Sequence, residues 1–327
     1  MYVCTNIGSV FIKSLGLILC VAIAQGAAVA APPAAALAQL QTRASIDKVA
    51  IIDAAYTGKR MVAVGERGLV FISDDQGKTW SARSSGHEKA ITGVVALDAK
   101  VVLATGHSGL IFRSADGGQH WSGSRPLENM HEAQLGVHVL PDGRVISFGG
   151  YASLLESSDG GQSWTQRKIL GDAIDKHFYG MAQIGASMVL VGEAGLIATS
   201  GDAGKTWASV DSPYPGSLFG VASMPGNIFI AFGMRGKILY SADMGCSWQE
   251  LDSGTTSPFF SATSLKDGRL LLAGKDGVLA IVSGRAAETR YTPDRRSVAR
   301  VLETDNNTLL LFGEAGVRRV QWQRLRK

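Results

Sequence analysis

One octapeptide, Ser-x-Asp-x-Gly-x-(Thr/Ser)-Trp, is written five times into this chain of 327 residues. The copies are Ser73–Trp80, Ser114–Trp121, Ser157–Trp164, Ser200–Trp207 and Ser241–Trp248, and only His120 departs from the pattern at the seventh place. Successive tryptophans stand 41, 43, 43 and 41 residues apart. A fixed period of this length makes the fold an array of one supersecondary unit.

A second signal extends the array. Gly65-Glu66-Arg67-Gly68 sits between the apolar β-type runs 61–64 and 69–72, and comparable turns begin at Gly106, Gly192, Gly233, Gly274 and Gly313. A further copy, Gly149-Gly150-Tyr151-Ala152, has lost its last glycine. First glycines are spaced 41, 43, 43, 41, 41 and 39 residues apart, which raises the count to seven units. Glycine suits a tight hairpin turn because it accepts positive φ without a side-chain penalty. The second unit reads as four strands, at 91–97, 101–105, 110–113 and 121–124. Four-stranded units repeated radially are β-propeller blades. The expected fold is therefore all-β, a seven-bladed propeller over residues 47–327. A solenoid is the weaker reading, because its repeats seldom hold four strands. Unit six lacks the octapeptide and unit seven ends after its third strand. Residues 40–45, in a linker segment 31–46, are expected to supply the missing outer strand and close the ring.

The N-terminus reads as an export signal: Lys13, the apolar run Leu15–Ala24, then the small residues Ala28-Val29-Ala30. Cleavage after residue 30, or alternatively after Ala38, would leave Cys246 alone and exclude an intrachain disulfide. Bulky Leu19 before Cys20 argues against a lipoprotein signal. The formal charge of +4 is small for this length and gives no reason to expect nucleic acid as a partner. The close basic clusters are Arg295-Arg296 and the C-terminal group Arg318, Arg319, Arg324, Arg326 and Lys327.

The octapeptide has the chemistry of a turn. Ser and Asp accept bonds from nearby N–H groups, glycine takes the strained conformation, and Trp wedges the hairpin against its sheet. The structural residues are thus Asp75, Trp80, Asp116, Trp121, Asp159, Trp164, Asp202, Trp207, Asp243 and Trp248. Calcium takes six to eight oxygens, and one dependable carboxylate per box does not supply them. The expectation is no metal and no cofactor.

The pattern resembles the Asp-box, or bacterial neuraminidase repeat, of sialidases and other propellers. With seven units and Gly-x-x-Gly-(Leu/Val/Ile) turns, the chain looks most like the photosystem II stability/assembly factor family. Val189–Ile197 and Ser200–Trp207 carry that likeness. The resemblance implies a non-enzymatic, exported scaffold, in a periplasm or thylakoid lumen, that binds a membrane-protein complex or assembly intermediate. It also leaves room for peripheral membrane association and implies a monomer. The alternative is a sialidase-like glycoside hydrolase or a glycan-binding lectin. A sialidase should carry an Arg-Ile-Pro motif ahead of its first box, and here that stretch holds only Arg43, Arg60 and Arg67. No catalytic residue is assigned, although Glu88 and Glu132 would be carboxylates on neighbouring loops. The partner-binding face is expected where turns between strands two and three meet the blade connections. Its residues are Arg67, His87, His107, His131, Tyr151, His177, Tyr214, Arg235 and Lys275. The pairs His87-Glu88 and His131-Glu132 match no metal-ligand spacing, and Cys246 at a variable box position reads as an idle thiol.

Overall fold

The computed structural model of the protein describes residues 34–127, 131–171, 175–304 and 308–321. The expected export signal at residues 1–30 lies outside them. The described chain opens with helix α1 (Ala34–Thr42), and a 3-10 turn at Ile46–Lys48 follows. Seven antiparallel sheets come next, six of four strands and the last of three.

Blade one comprises β1 (Ile51–Tyr56), β2 (Met61–Gly65), β3 (Leu69–Ser73) and β4 (Ser81–Ser84). Blade two has β5 (Ile91–Ala96), β6 (Val102–Gly106), β7 (Ile111–Ser114) and β8 (Ser122–Ser124), close to the strands read from the sequence. Blade three has β9 (Gln134–Val139), β10 (Val145–Gly149), β11 (Leu154–Ser157) and β12 (Thr165–Gln166). In blade four these are β13 (Phe178–Ile184), β14 (Ser187–Gly192), β15 (Ile197–Ser200) and β16 (Ala208–Val210). Blade five is β17 (Leu218–Met224), β18 (Ile228–Gly233), β19 (Ile238–Ser241) and β20 (Gln249–Leu251). Blade six is β21 (Phe259–Ser264), β22 (Leu270–Gly274), β23 (Val278–Ser283) and β24 (Ala286–Tyr291). Blade seven holds β25 (Val298–Glu303), β26 (Thr308–Gly313) and β27 (Gly316–Gln321).

The second strands β2, β6, β10, β22 and β26 are buried at every position. Both faces of such a strand meet a neighbouring sheet, so the core lies between blades. One cluster joins Val62, Val64, Val70 and Ile72 of blade one to Ile91, Val102 and Phe112 of blade two. Another joins Leu310 and Phe312 of blade seven to Met61, Leu69 and Phe71 of blade one, and so closes the ring.

The glycine turns work differently from the sequence expectation at their first residue. Gly65 is extended, with φ −164°. Its glycine is required because a Cβ there would stand 2.1 Å from the Ala50 carbonyl oxygen, which accepts the Glu66 N–H at 3.2 Å. The same tie pins the turn to the start of strand one in blade four, where Glu193 N–H donates to His177 O. Positive φ falls instead on the third and fourth residues, 54° at Arg67 and 65° at Gly68.

The outer strand expected from residues 40–45 does not form. Ala34–Thr42, built almost wholly of Ala, Leu and Gln, is helical, as those residues prefer. It lies against β4, where buried Gln41 donates from Nε2 to Arg67 O at 2.8 Å and His87 O at 2.7 Å. The loop after the helix reaches blade seven instead, Ala44 packing in the cluster of Phe312 and Ile46–Asp47 against Gly316. The alternative cleavage point after Ala38 falls inside this helix.

Candidate functional site

Every first strand carries a register shift at the same place, between its first and third residues. A β-bulge leaves one residue unpaired and re-aims its side chain. Here the bulged residues are Ile52, Thr92, Leu135, Tyr179, Phe219, Phe260 and Ala299, and all seven line one cavity of about 550 Å³ around the ring axis. The mouth of this channel is lopsided. Blades four to six contribute Tyr179, Phe219 and Phe260 in succession, with centroids 5.6 and 5.8 Å apart. His177 stands 6.2 Å from Tyr179, and Tyr151 stands 4.9 Å from His177, so five rings form one arc. The other half of the mouth is small or aliphatic, and the Thr92 hydroxyl is used up on the Gln134 and Thr105 carbonyls.

One step deeper, blades two to five carry Gly93, Gly136, Gly180 and Gly220, and blade six carries Ser261. Neighbouring first strands approach so closely that a Cβ on Gly180 would lie 2.7 Å from Gly220 Cα. Blades one and seven carry Asp53 and Arg300 at this place. Arg300 Nε approaches Asp53 Oδ1 at 3.3 Å, an ion-pair contact without the alignment of a full hydrogen bond. Asp53 also accepts N–H bonds from Ala54 at 2.8 Å and from Val94, in blade two, at 2.9 Å. Burial pushes the Asp53 carboxyl above the ordinary range, and Arg300 with the two N–H donors offsets this in part. Burial likewise lowers the pKa of His138, further down the channel.

The expected partner face has the geometry read from the sequence, with turns bonded to blade connections. Arg67, His107, His131, Arg235 and Lys275 are exposed there, and so is Tyr151 at 66%. Tyr151 (φ 52°) and Ala152 (φ 55°) both take the left-handed conformation, a strained choice where other turns end in glycine. His87 is half-buried, its ring edge-on to Phe112 at 5.3 Å. His177 is half-buried too, with Nδ1 at 3.2 Å from the Glu193 carboxylate. Tyr214 differs from expectation: it is buried, packing in the blade-four and blade-five core with Lys237 5.7 Å from its ring. The flanking prolines 213 and 215 suggest an exposed loop, but they fold the ring inward over Gly216. The channel-mouth aromatics Tyr179, Phe219 and Phe260 were missed in the sequence. Their signal was their shared place, one residue into each first strand.

The octapeptides lie on the opposite face, where Ala203 N–H donates to Ala186 O in the turn between strands one and two. In the first box Asp75 Oδ1 accepts from Ser73 Oγ, Lys78 N and Thr79 N, and Oδ2 accepts from Thr79 Oγ1 at 2.7 Å. Trp80 Nε1 donates to Gly77 O. Asp116, Asp159, Asp202 and Asp243 repeat this network. These donors hold the carboxyls low, Asp116 at about 2. Each tryptophan also packs beyond its own sheet. Trp80 meets Phe312 of blade seven edge-on at 5.8 Å, Trp121 joins the cluster of Val62, and Trp248 that of Val189. Trp164 lies by Ile111, and Trp207 by Ile146 and Met188. The box therefore staples blade to blade. Among the described residues no three His, Cys, Asp or Glu side chains form a cluster able to hold a metal ion. Cys246 is exposed.

These features define an Asp-box propeller with a one-sided aromatic channel mouth. The family model for the photosynthesis system II assembly factor YCF48 matches residues 141–304, half of the chain, and the BNR/Asp-box repeat model matches 71–82. The chain belongs to that assembly-factor family. No curated protein sequence matches it. Among solved structures it is similar to a YCF48 bound to D1 peptide, at 16% identity and TM-score 0.67, covering 84% of this chain and 92% of that one. It is similar also to YCF48 from Cyanidioschyzon merolae, at 14% identity and TM-score 0.66, covering 85% and 97%. A catalytically inactive virginiamycin B lyase from Staphylococcus aureus with quinupristin shares the fold at TM-score 0.71 and 10% identity, covering 84% and 96%. Propellers of unlike chemistry thus share this frame.

Proposed function

We propose that this protein is an exported, non-catalytic scaffold that holds an extended segment of a membrane-protein complex or assembly intermediate across its channel mouth. The observation that carries the reading is the arc of Tyr151, His177, Tyr179, Phe219 and Phe260. Aromatic rings bring large contact area at small conformational cost, and they are enriched in the cores of protein interfaces. Tyr151 and Phe260 are among the few large apolar side chains left exposed. The D1 peptide bound by a related YCF48 supports a peptide segment as the ligand. In a photosynthetic host the partner would be a photosystem II intermediate, and in another host a different envelope complex. The apolar run Leu15–Ala24 supports export to a periplasm or thylakoid lumen, and no nucleic acid is expected. Against a sialidase, Arg300 is the only arginine lining the channel among the described residues, and it is committed to Asp53.

The test compares a tagged wild type with a Tyr179→Ala/Phe219→Ala variant for capture of a discrete complex from solubilised membranes. An interface hot spot contributes roughly 2 kcal/mol, so the variant should bind the captured partner about 30-fold more weakly or worse. Its melt should stay near wild type, because both rings are half-exposed. Undiminished capture would sink the reading, as would hydrolysis of a sialoside by the wild type.

A further inference from the structure

Blade seven ends on β27, whose outer edge has no partner strand among the described residues. In the other blades the third strand is covered by a fourth, as β3 pairs with β4 from Leu69↔Ser84 to Ile72↔Ser81. Alternate residues of β27 therefore direct N–H and C=O groups away from β26. Beside this edge runs a groove of about 630 Å³, with Ala44, Ile46, Trp80 and Val317 as apolar lining and Arg43, Lys78 and Arg319 as basic lining. At the junction of blades four and five the fourth strand fills the corresponding space, and Val210 packs into the cluster of Trp248. At the junction of blades seven and one no fourth strand lies over Trp80 among the described residues, and the loop residues Ala44 and Ile46 pack into its cluster.

We propose that this edge is a β-augmentation site, taking an extended acidic–apolar segment of a partner protein as the fourth strand of blade seven. Backbone pairing supplies affinity in this mode, and alternate side chains supply specificity. An added strand would set one row of side chains over Val317 and Trp80, which calls for apolar residues. Arg43 and Lys78 are exposed and form no ion pair among the described residues, while Arg319 bonds only the Gln76 carbonyl at 2.6 Å. The one acid in the groove, Asp47, already accepts the Ser45 hydroxyl. Charge complementarity therefore selects an acidic strand. A second copy offering its own β27 would bring Arg318 and Arg319 against the same pair. Of the described N-terminal segment, α1 is tied to blade one through Gln41, and residues 43–47 border the groove at the Gly316 end of β27 without forming a strand on it. The site is independent of the channel mouth.

Residue-resolved hydrogen exchange on the full chain tests the proposal. The probe is a capped octapeptide of alternating Asp and Val, with a Lys/Val octapeptide as control. At tenfold excess over its dissociation constant, the acidic peptide should slow exchange of the outward β27 amides about tenfold. The Lys/Val peptide should not, and Lys78→Glu/Arg319→Glu should reverse the preference. Tyr179→Ala should leave this protection unchanged. The proposal is overturned if neither peptide slows these amides. It is overturned equally if they are protected without peptide, in a concentration-dependent way that assigns the edge to a second copy, or independently of concentration, which assigns it to the chain itself.

Discussion

The ring must close between blades seven and one, and the structure puts an ionic contact there where the joins among blades two to five use glycine. Asp53 touches Arg300 of blade seven and accepts the Val94 N–H of blade two, while Arg300 Nη1 reaches the Ala262 carbonyl of blade six at 3.5 Å. Four consecutive blades are thereby linked through two side chains. Removing one partner of a buried ion pair costs about 3–5 kcal/mol. The side chains here are 24% and 34% exposed, which lowers the expected cost of Asp53→Ala to about 2–3 kcal/mol. At roughly 2.1 cal/mol/K per residue, a ring of about 280 residues unfolds with some 0.6 kcal/mol/K of entropy, so Tm should fall by about 3–5 °C. Arg300→Ala should cost a similar amount, and the double variant should be less damaged than the sum by about 1–2 kcal/mol. Asp53→Asn should cost less than Asp53→Ala, because the amide still accepts the Val94 N–H. The sign with pH follows from the raised Asp53 pKa. Stability tied to the neutral carboxyl is present below the ordinary carboxylate range and lost as pH rises through the folded pKa. The gap between wild type and Asp53→Asn should therefore narrow from acid towards neutral pH. Calorimetry across this pH range reads all of these quantities. Single variants melting within a degree of wild type, or strict additivity, would refute the linkage.

Other perturbations isolate other parts of the frame. Gly180→Ala places a Cβ 2.7 Å from Gly220 Cα and 3.1 Å from Val221 N, both backbone atoms, and should cost about 1–3 kcal/mol by forcing two blades apart. Gly171→Asn, at positive φ in open space, should leave the melt nearly unchanged in the same calorimetric comparison. The box carboxyls are held below their ordinary value near 3.8, so the stability they add is complete above that value and lost as pH falls from there through the lower folded pKa. The acid limb of the Tm profile should become shallower with each box Asp→Asn replacement, and an unaltered limb would contradict the assignment. Gln41→Ala removes the side-chain donor to the Arg67 carbonyl and leaves the His87 carbonyl with the Ser85 hydroxyl, and it should release α1, read as faster proteolysis at Arg43 with little change in the global melt.

The blades were legible because their markers are local and repeated. Asp75 and Trp80 recur with their bonding partners inside one octapeptide, so sequence spacing reports them directly. The channel mouth was not legible in the same way. Ile52, Thr92, Leu135, Tyr179, Phe219, Phe260 and Ala299 share a bulge but no residue type, and alternation alone cannot tell a bulged residue from a paired one. Tyr214 was misplaced because flanking prolines report a turn, and the direction of its ring depends on tertiary space beside Gly216. The ring-closing segment failed for a different reason. Topology asks residues 40–45 for a strand, while Leu40, Gln41 and the alanines before them favour helix, and the local preference prevailed.

The division between repeating and non-repeating residues also bears on how such a frame acquires a partner. The box network turns both carboxylate oxygens of Asp75 onto the hairpin itself, so its main use is to hold that turn. The bulge does the opposite. It fixes a backbone position in all seven blades and leaves the side chain unpaired, so substitution there alters the mouth without disturbing a ladder bond. Tyr179, Phe219 and Phe260 occupy three adjacent bulges, and the glycines one step deeper keep the first strands close enough for their rings to touch. A ring built with sevenfold regularity would present the same surface at every blade. It is the concentration of aromatics on blades four to six that gives this mouth a direction along which an extended chain can lie.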